Sequence, residues 1–157
     1  MTGGGYLVGV ISDTHGLVRD EALAALLGVE LILHAGDIGA PEVIPRLEEI
    51  APVKAVRGNN DRDPWTRGLP ETDVVQVGGV SIYLLHNLAE LDLDPAAAGF
   101  QVVVSGHSHV PKSERRRGVL YLNPGSAGPR RFTLPVSLAR LRIAGSSMEP
   151  EMVTLHV

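Results

Sequence analysis

Short apolar runs alternate along this chain with abrupt polar clusters. Tyr6 to Ser12 (YLVGVIS), Glu30 to Ala35 (ELILHA) and Val53 to Arg57 (VKAVR) are apolar, partly β-branched and brief, and read as buried strands. Between them, Arg19 to Leu27 carries Leu23, Leu26 and Leu27 on one helical face and stops at Gly28. Pro41 to Ile50 reads as a second helix, although Pro45 argues for a later start. This opening stretch is β-α-β-α-β, which implies parallel strands joined by right-handed crossovers.

The pattern then turns strand-rich. Asp73 to Val77 and Val80 to His86 flank Gly78-Gly79 as a hairpin. Gln101 to Ser105 and Gly118 to Leu122 are further strands, and Pro135 to Ile143 with Glu151 to Val157 form a closing pair. A helix between Leu88 and Gly99 is interrupted by Pro95. The balance predicts an α/β fold of two packed sheets with helices outside, in a single domain spanning 1–157.

Composition narrows the classes. At 157 residues, 44% hydrophobic and 20% charged, the chain has the profile of a soluble globule, not of a disordered or fibrous one. Aromatics are only 4%, so the core must be aliphatic. A net charge of −4 speaks against general electrostatic binding to long nucleic acid or to an anionic membrane. No apolar run approaches the ~18 residues that span a bilayer. The absence of cysteine excludes disulfides, thiolate metal sites and a cysteine nucleophile, and fits a cytoplasmic protein.

The polar clusters carry the candidate chemistry. Asp13-Thr14-His15, Gly36-Asp37, Gly58-Asn59-Asn60-Asp61, His86 and Gly106-His107-Ser108-His109 each follow a predicted strand. In open α/β sheets, ligands gather at the carboxyl ends of strands. Imidazole, carboxylate and amide donors suit Mn, Fe, Zn or Ni. Seven such donors exceed one tetrahedral ion and fit a pair of ions ~3.5–4 Å apart, an arrangement used for phosphoryl chemistry.

These five blocks, with Asn123-Pro124-Gly125-Ser126, resemble the calcineurin-like metallophosphoesterases, in particular the small bacterial and archaeal phosphodiesterase branch. The resemblance runs from Val8 to about Arg130. It implies a sandwich of two mixed β-sheets flanked by helices. It also implies two divalent ions, Mn first, with Fe, Zn or Ni as alternatives. Asp13, His15, Asp37 and His109 would hold one; Asp37, Asn59, His86 and His107 would hold the other, with Asp37 bridging. The expected activity is hydrolysis of small-molecule phosphate esters, diesters ahead of monoesters, through in-line attack by a hydroxide shared between the ions. Catalytic roles fall to Asn59 and His86 as ligands and to Asp61 as a residue that fixes an imidazole or a substrate group. The family's habit makes a homo-oligomer, dimer or tetramer, an expectation. The rival reading is a protein-interaction scaffold, since the retromer subunit of endosomal sorting shares this fold with a degraded metal site.

Two positions depart from the family pattern. Asn60 stands where many relatives have a proton-donating His, which predicts a preference for good leaving groups. Asn87 follows His86 where Gly is more usual, and the tolerance of Asn for left-handed angles accommodates it. Each motif also has a structural reading: Asp13, His15 and Asn59 as turn residues and Asp37 as a helix cap, while His34, inside an apolar strand, reads as a packed histidine or one that supports a ligand. Arg115-Arg116-Arg117 reads as a solvated turn, and Trp65 as a cover for the core edge.

Overall fold

A computed structural model describes residues 5–157. The expected α/β sandwich of two mixed β-sheets is present. The first sheet has the order β10-β9-β1-β2-β3 and the second β4-β5-β6-β8-β7. Strands β1 (Tyr6–Ile11), β2 (Leu31–His34) and β3 (Val53–Ala55) run parallel. The final hairpin, β9 (Ser137–Ala144) and β10 (Ser147–Thr154), adds antiparallel to β1. In the second sheet β5 (Val80–Leu85), β6 (Val102–Val104) and β8 (Val119–Asn123) are parallel. Antiparallel β4 (Thr72–Val77) and β7 (Lys112–Arg116) close its two edges.

Alternation across the strands builds three apolar layers. Val8, Val10, Leu33, Ile82, Val104 and Leu122 face the seam between the sheets. Ile11 and Ile32 face outward beneath helices α1 (Asp20–Ala25) and α2 (Val43–Glu48). Tyr83, Leu85 and Val103 face the other side, covered by Leu88, Leu91 and Phe100. Strands buried on both faces lose the polar half of the usual alternation, which is why they read as unbroken apolar runs.

Differences from the sequence expectation have local causes. Helix α2 begins at Val43, and Pro45 lies in its first turn, where a missing N–H costs little. The Leu88 to Gly99 segment is a 3-10 turn (Leu88–Glu90) and then α3 (Pro95–Ala98), with Asp94 accepting from the Ala96 and Ala97 amides as its N-cap. The arginine triplet is not simply a turn: Arg115 and Arg116 are in edge strand β7, and only Arg117-Gly118, both with positive φ, form the hairpin loop. The charged edge strand resists pairing with another chain. No helix among the described residues is long and apolar enough to cross a membrane.

Candidate metal centre

Hydrogen bonding that continues past the ends of the strands positions the polar loops. Asp13 N–H donates to Gly36 O (3.0 Å), His15 N–H to Asp37 O (3.0 Å) and Gly16 N–H to Ile38 O (2.7 Å), so the loops after β1 and β2 stay zipped together. Gly106 N–H donates to His86 O (2.9 Å) and does the same for the loops after β5 and β6. Ser126 Oγ donates to Asp13 O (3.0 Å) and ties the Asn-Pro-Gly-Ser turn to the first loop.

Five polar residues then bend sharply inward. Asp13, His15, Asp37, His107 and His109 have φ between 46° and 70°, and they make up five of the seven non-glycine residues with left-handed backbone among those described. Such conformations cost of order 1–3 kcal/mol each and concentrate at functional sites. Asp and His bear them better than most residues. Two glycines make room for the approach. A Cβ at Gly58 would strike the Asp37 carboxylate, and one at Gly106 would strike Ser12 Oγ and the Asp13 carboxylate.

The result is a buried cluster of facing acceptors. Asp13 Oδ2 accepts from Ser12 Oγ (2.6 Å) and His107 N–H (3.0 Å), which aims Oδ1 at the cluster. There Oδ1 lies 3.2 Å from His109 Nε2, 3.8 Å from His15 Nε2 and 4.0 Å from His86 Nε2. Asp37 Oδ2 lies 3.3 Å from His86 Nε2 and 3.8 Å from His15 Nε2. His86 Nδ1 donates to Ala35 O (2.7 Å), so in the neutral ring Nε2 presents a lone pair to the carboxylates. His107 Nδ1 approaches His86 Nε2 at 3.3 Å.

The electrostatics ask for a cation. Asp13 Oδ1, His15 Nε2 and His109 Nδ1 are buried and have no hydrogen-bond partner. Burial disfavours charge on His86, yet Asp37 and Asp13 outweigh it and raise its pKa. Burial likewise opposes ionisation of Asp37, but His86 and the Asn60 amide prevail and hold its carboxyl well below the usual range. For His109 burial wins, with the positive Arg131 in support and Asp13 opposing, and its pKa falls. A divalent ion meets the same demand for positive charge, and the donor set fits one: Asp13, His15 and His109 form one ligand group, and Asp13, Asp37 and His86 another.

Around this cluster, the other predicted residues divide. Asn59 is exposed and shares a cleft wall with His86. It is Asn60 that meets Asp37, through its backbone N–H to Oδ1 (2.9 Å) and its side-chain amide to Oδ2 (3.1 Å). Asp61 was expected to reach an imidazole or substrate; its buried carboxylate instead accepts from the backbone amides of Ile38 (2.9 Å), Gly39 (3.2 Å) and Gly58 (2.9 Å). It clasps the Asp37 loop to the Asn59 loop. Asp13 belongs to both groups, and Asp37 also lies within reach of His15 of the first. Asn87 has an extended backbone (φ −114°), not a left-handed one, and its Oδ1 caps the following turn at Ala89 N.

His34, expected as a packed histidine or one supporting the ligands, is both buried and part of the support. His34 Nδ1 accepts from Gly36 N–H (3.0 Å), so its neutral ring donates from Nε2 to Thr14 Oγ1 (3.0 Å), which donates to Ile38 O (2.8 Å). Complete burial, aided by His86, lowers the His34 pKa from 6.5 to about 3. The only available signal was an imidazole inside an apolar strand.

Comparison with known proteins agrees with this geometry. Residues 6–146 match the calcineurin-like phosphoesterase superfamily domain. The chain belongs to that family. A probable metallophosphoesterase of Methanothermobacter thermautotrophicus is 34% identical over 94% of this chain and 91% of its own length. A phosphodiesterase of Methanocaldococcus jannaschii is 27% identical over 75% of this chain and 82% of its own. Among solved structures, Vps29 of Entamoeba histolytica complexed with zinc superposes with a TM-score of 0.73 at 25% identity, covering 96% of this chain and 99% of that one.

Proposed function

We propose that this calcineurin-like phosphoesterase is a two-metal phosphodiesterase acting on small molecules. The observation that carries the reading is the buried, unpartnered Asp13 Oδ1, aimed at three imidazoles by two hydrogen bonds to its sister oxygen. Asp13, His15, Asp37 and His109 would hold one ion, and Asp37, Asn59, His86 and His107 the other. Mn is the first choice for the pair, with Fe, Zn or Ni as alternatives, in a cytoplasmic protein that assembles as a dimer or tetramer. When bound, such ions neutralise phosphate oxygens and acidify water.

The chain's own residues supply order. Ala35 O fixes the His86 tautomer. Asn60 holds both oxygens of Asp37 and leaves no imidazole at this position to protonate a leaving alkoxide. Rates should therefore fall steeply as the leaving-group pKa rises, and a flat dependence would remove this feature of the reading.

The second reading is a scaffold that binds partners through this fold, which the chain shares with Vps29. Metal content after mild purification, together with turnover of bis(p-nitrophenyl) phosphate in Mn2+, separates the two. The hydrolase reading expects close to two ions per chain, and turnover that disappears in Asp13→Asn and His109→Ala. Well under one ion per chain with no rescue by Mn2+ would establish the scaffold.

A further inference from the structure

Two cavities meet beside the His86–His107 pair. One, of about 220 Å3, lies beyond His107 against the outer face of β7 and β8. Leu88, Val110 and Tyr121 give it apolar walls, and Ser108 and Asn123 also line it. The other, of about 520 Å3, lies beyond His86 and Asn59 and is rimmed by Arg57, Glu71, Glu90 and Asp92. Asn87 borders both. A phosphomonoester has one organic arm and a diester two, so a pair of unlike cavities on either side of the His86–His107 pair matches a diester.

Charged residues of β7 flank the cavity beyond His107. Lys112, Glu114 and Arg116 alternate along β7 and are linked by ion pairs of 3.2 Å from Lys112 Nζ and from Arg116 Nε to Glu114. The Arg116 guanidinium lies 4.6 Å from the centre of the Tyr121 ring, and both line this wall. Ser108 Oγ accepts from Asn123 Nδ2 (3.1 Å) and Val110 N–H (3.2 Å), which leaves its hydroxyl proton for an acceptor on a ligand. The volume is below the ~300–1,000 Å3 of a site that takes a whole drug-sized ligand, and suits one ring.

We propose that this cavity is the subsite for a planar organic arm of the diester, an aryl or nucleobase-like group seated between Val110, Leu88 and Tyr121. The proposal rests on the phosphodiesterase reading. The hydroxyl proton of Ser108 supplies the polar contact, and the second arm lies toward the cleft beyond His86.

Two measurements test it. In zinc-loaded protein titrated with phenylphosphonate or methylphosphonate, the methyl resonances of Leu88 and Val110 should shift with the phenyl compound alone. Identical shift maps, or phenyl-specific shifts centred on Leu85 instead, would overturn the subsite. In turnover with Mn2+, the KM of bis(p-nitrophenyl) phosphate should be about ten- to a hundredfold below that of methyl p-nitrophenyl phosphate, the effect of burying one ring. Filling the slot with Val110→Trp, or removing its wall with Tyr121→Ala, should bring that ratio close to one. An unchanged ratio in both variants refutes the assignment. Failure of the parent protein to hydrolyse either diester overturns the phosphodiesterase reading and the diester arm with it, and the phosphonate titration still reports separately whether the slot takes a ring.

Discussion

The two sheets contribute to the centre in different ways. The first supplies both carboxylates, Asp13 and Asp37, with His15; the second supplies His86, His107 and His109. The first-sheet loops are locked to one another by side chains that are not ligands, Asp61 on Ile38, Gly39 and Gly58, and His34 through Thr14 on Ile38. The second-sheet imidazoles are held more lightly: His86 by one carbonyl, and His109 with Nδ1 buried and unpartnered. Both carboxylates of the cluster thus come from the first sheet, and three of its four imidazoles from the second. Its position across the seam means that neither sheet alone holds it.

The contrast breaks most visibly at the ligands. His109→Ala should weaken metal binding by more than about a hundredfold, beyond the ~10–100-fold cost of losing an outer partner of a ligand. It should lower metal-free stability by only about 1–2 kcal/mol, the cost of deleting a buried ring. Asp61→Ala should do the reverse in the metal-free protein. Three backbone amides lose a charged acceptor, which costs about 3 kcal/mol or more. Calorimetry of both variants with and without Mn2+ reads the two effects, and equal metal-free destabilisation would abolish the distinction between the sheets.

What the sequence disclosed follows the same division. Strands buried on two faces announce themselves as apolar runs, and a ligand placed at the end of each is conspicuous, so the order of the blocks was readable. Edge strand β7, Lys-Ser-Glu-Arg-Arg, has no apolar face to reveal it and passed for a turn. Asp61 stands out by its position in the Asn-Asn-Asp block, but a carboxylate that binds only backbone leaves no mark of its targets in the sequence. The choice of Asn60 over Asn59 as the partner of Asp37 depends on the direction of one turn, which neighbouring identical residues cannot encode.

His34 sharpens the comparison through pH. Its folded pKa of about 3 lies below the unfolded 6.5, so the unfolded chain takes up a proton that the folded chain refuses. Its contribution is intact above pH 6.5 and falls by about 1.4 kcal/mol per unit between 6.5 and 3. The stability gap between the parent and His34→Asn, whose amide oxygen can still accept from Gly36, should therefore shrink by about 3 kcal/mol from pH 6.5 to 4. Denaturant melts across that range measure it; a constant gap would mean that the histidine is not held neutral.

The smallest effect belongs to the lighter side. Asn123 Nδ2 donates to Gly106 O (2.9 Å) and Ser108 Oγ (3.1 Å), while its Oδ1 accepts from Gly125 N–H (2.9 Å). It is the side chain that ties the His107–His109 loop to β8, and it is only partly buried. Water can replace some of what Asn123→Ala removes, so stability should fall by about 1–2 kcal/mol. Metal affinity should fall by about tenfold, because the loop bearing two imidazoles loses its orientation. Isothermal titration with Mn2+ gives the second number beside the first from melting. If affinity holds while stability drops, the second-sheet loop is positioned by its backbone alone, as Gly106 N–H on His86 O would allow, and the asymmetry between the sheets narrows to the clasp of Asp61.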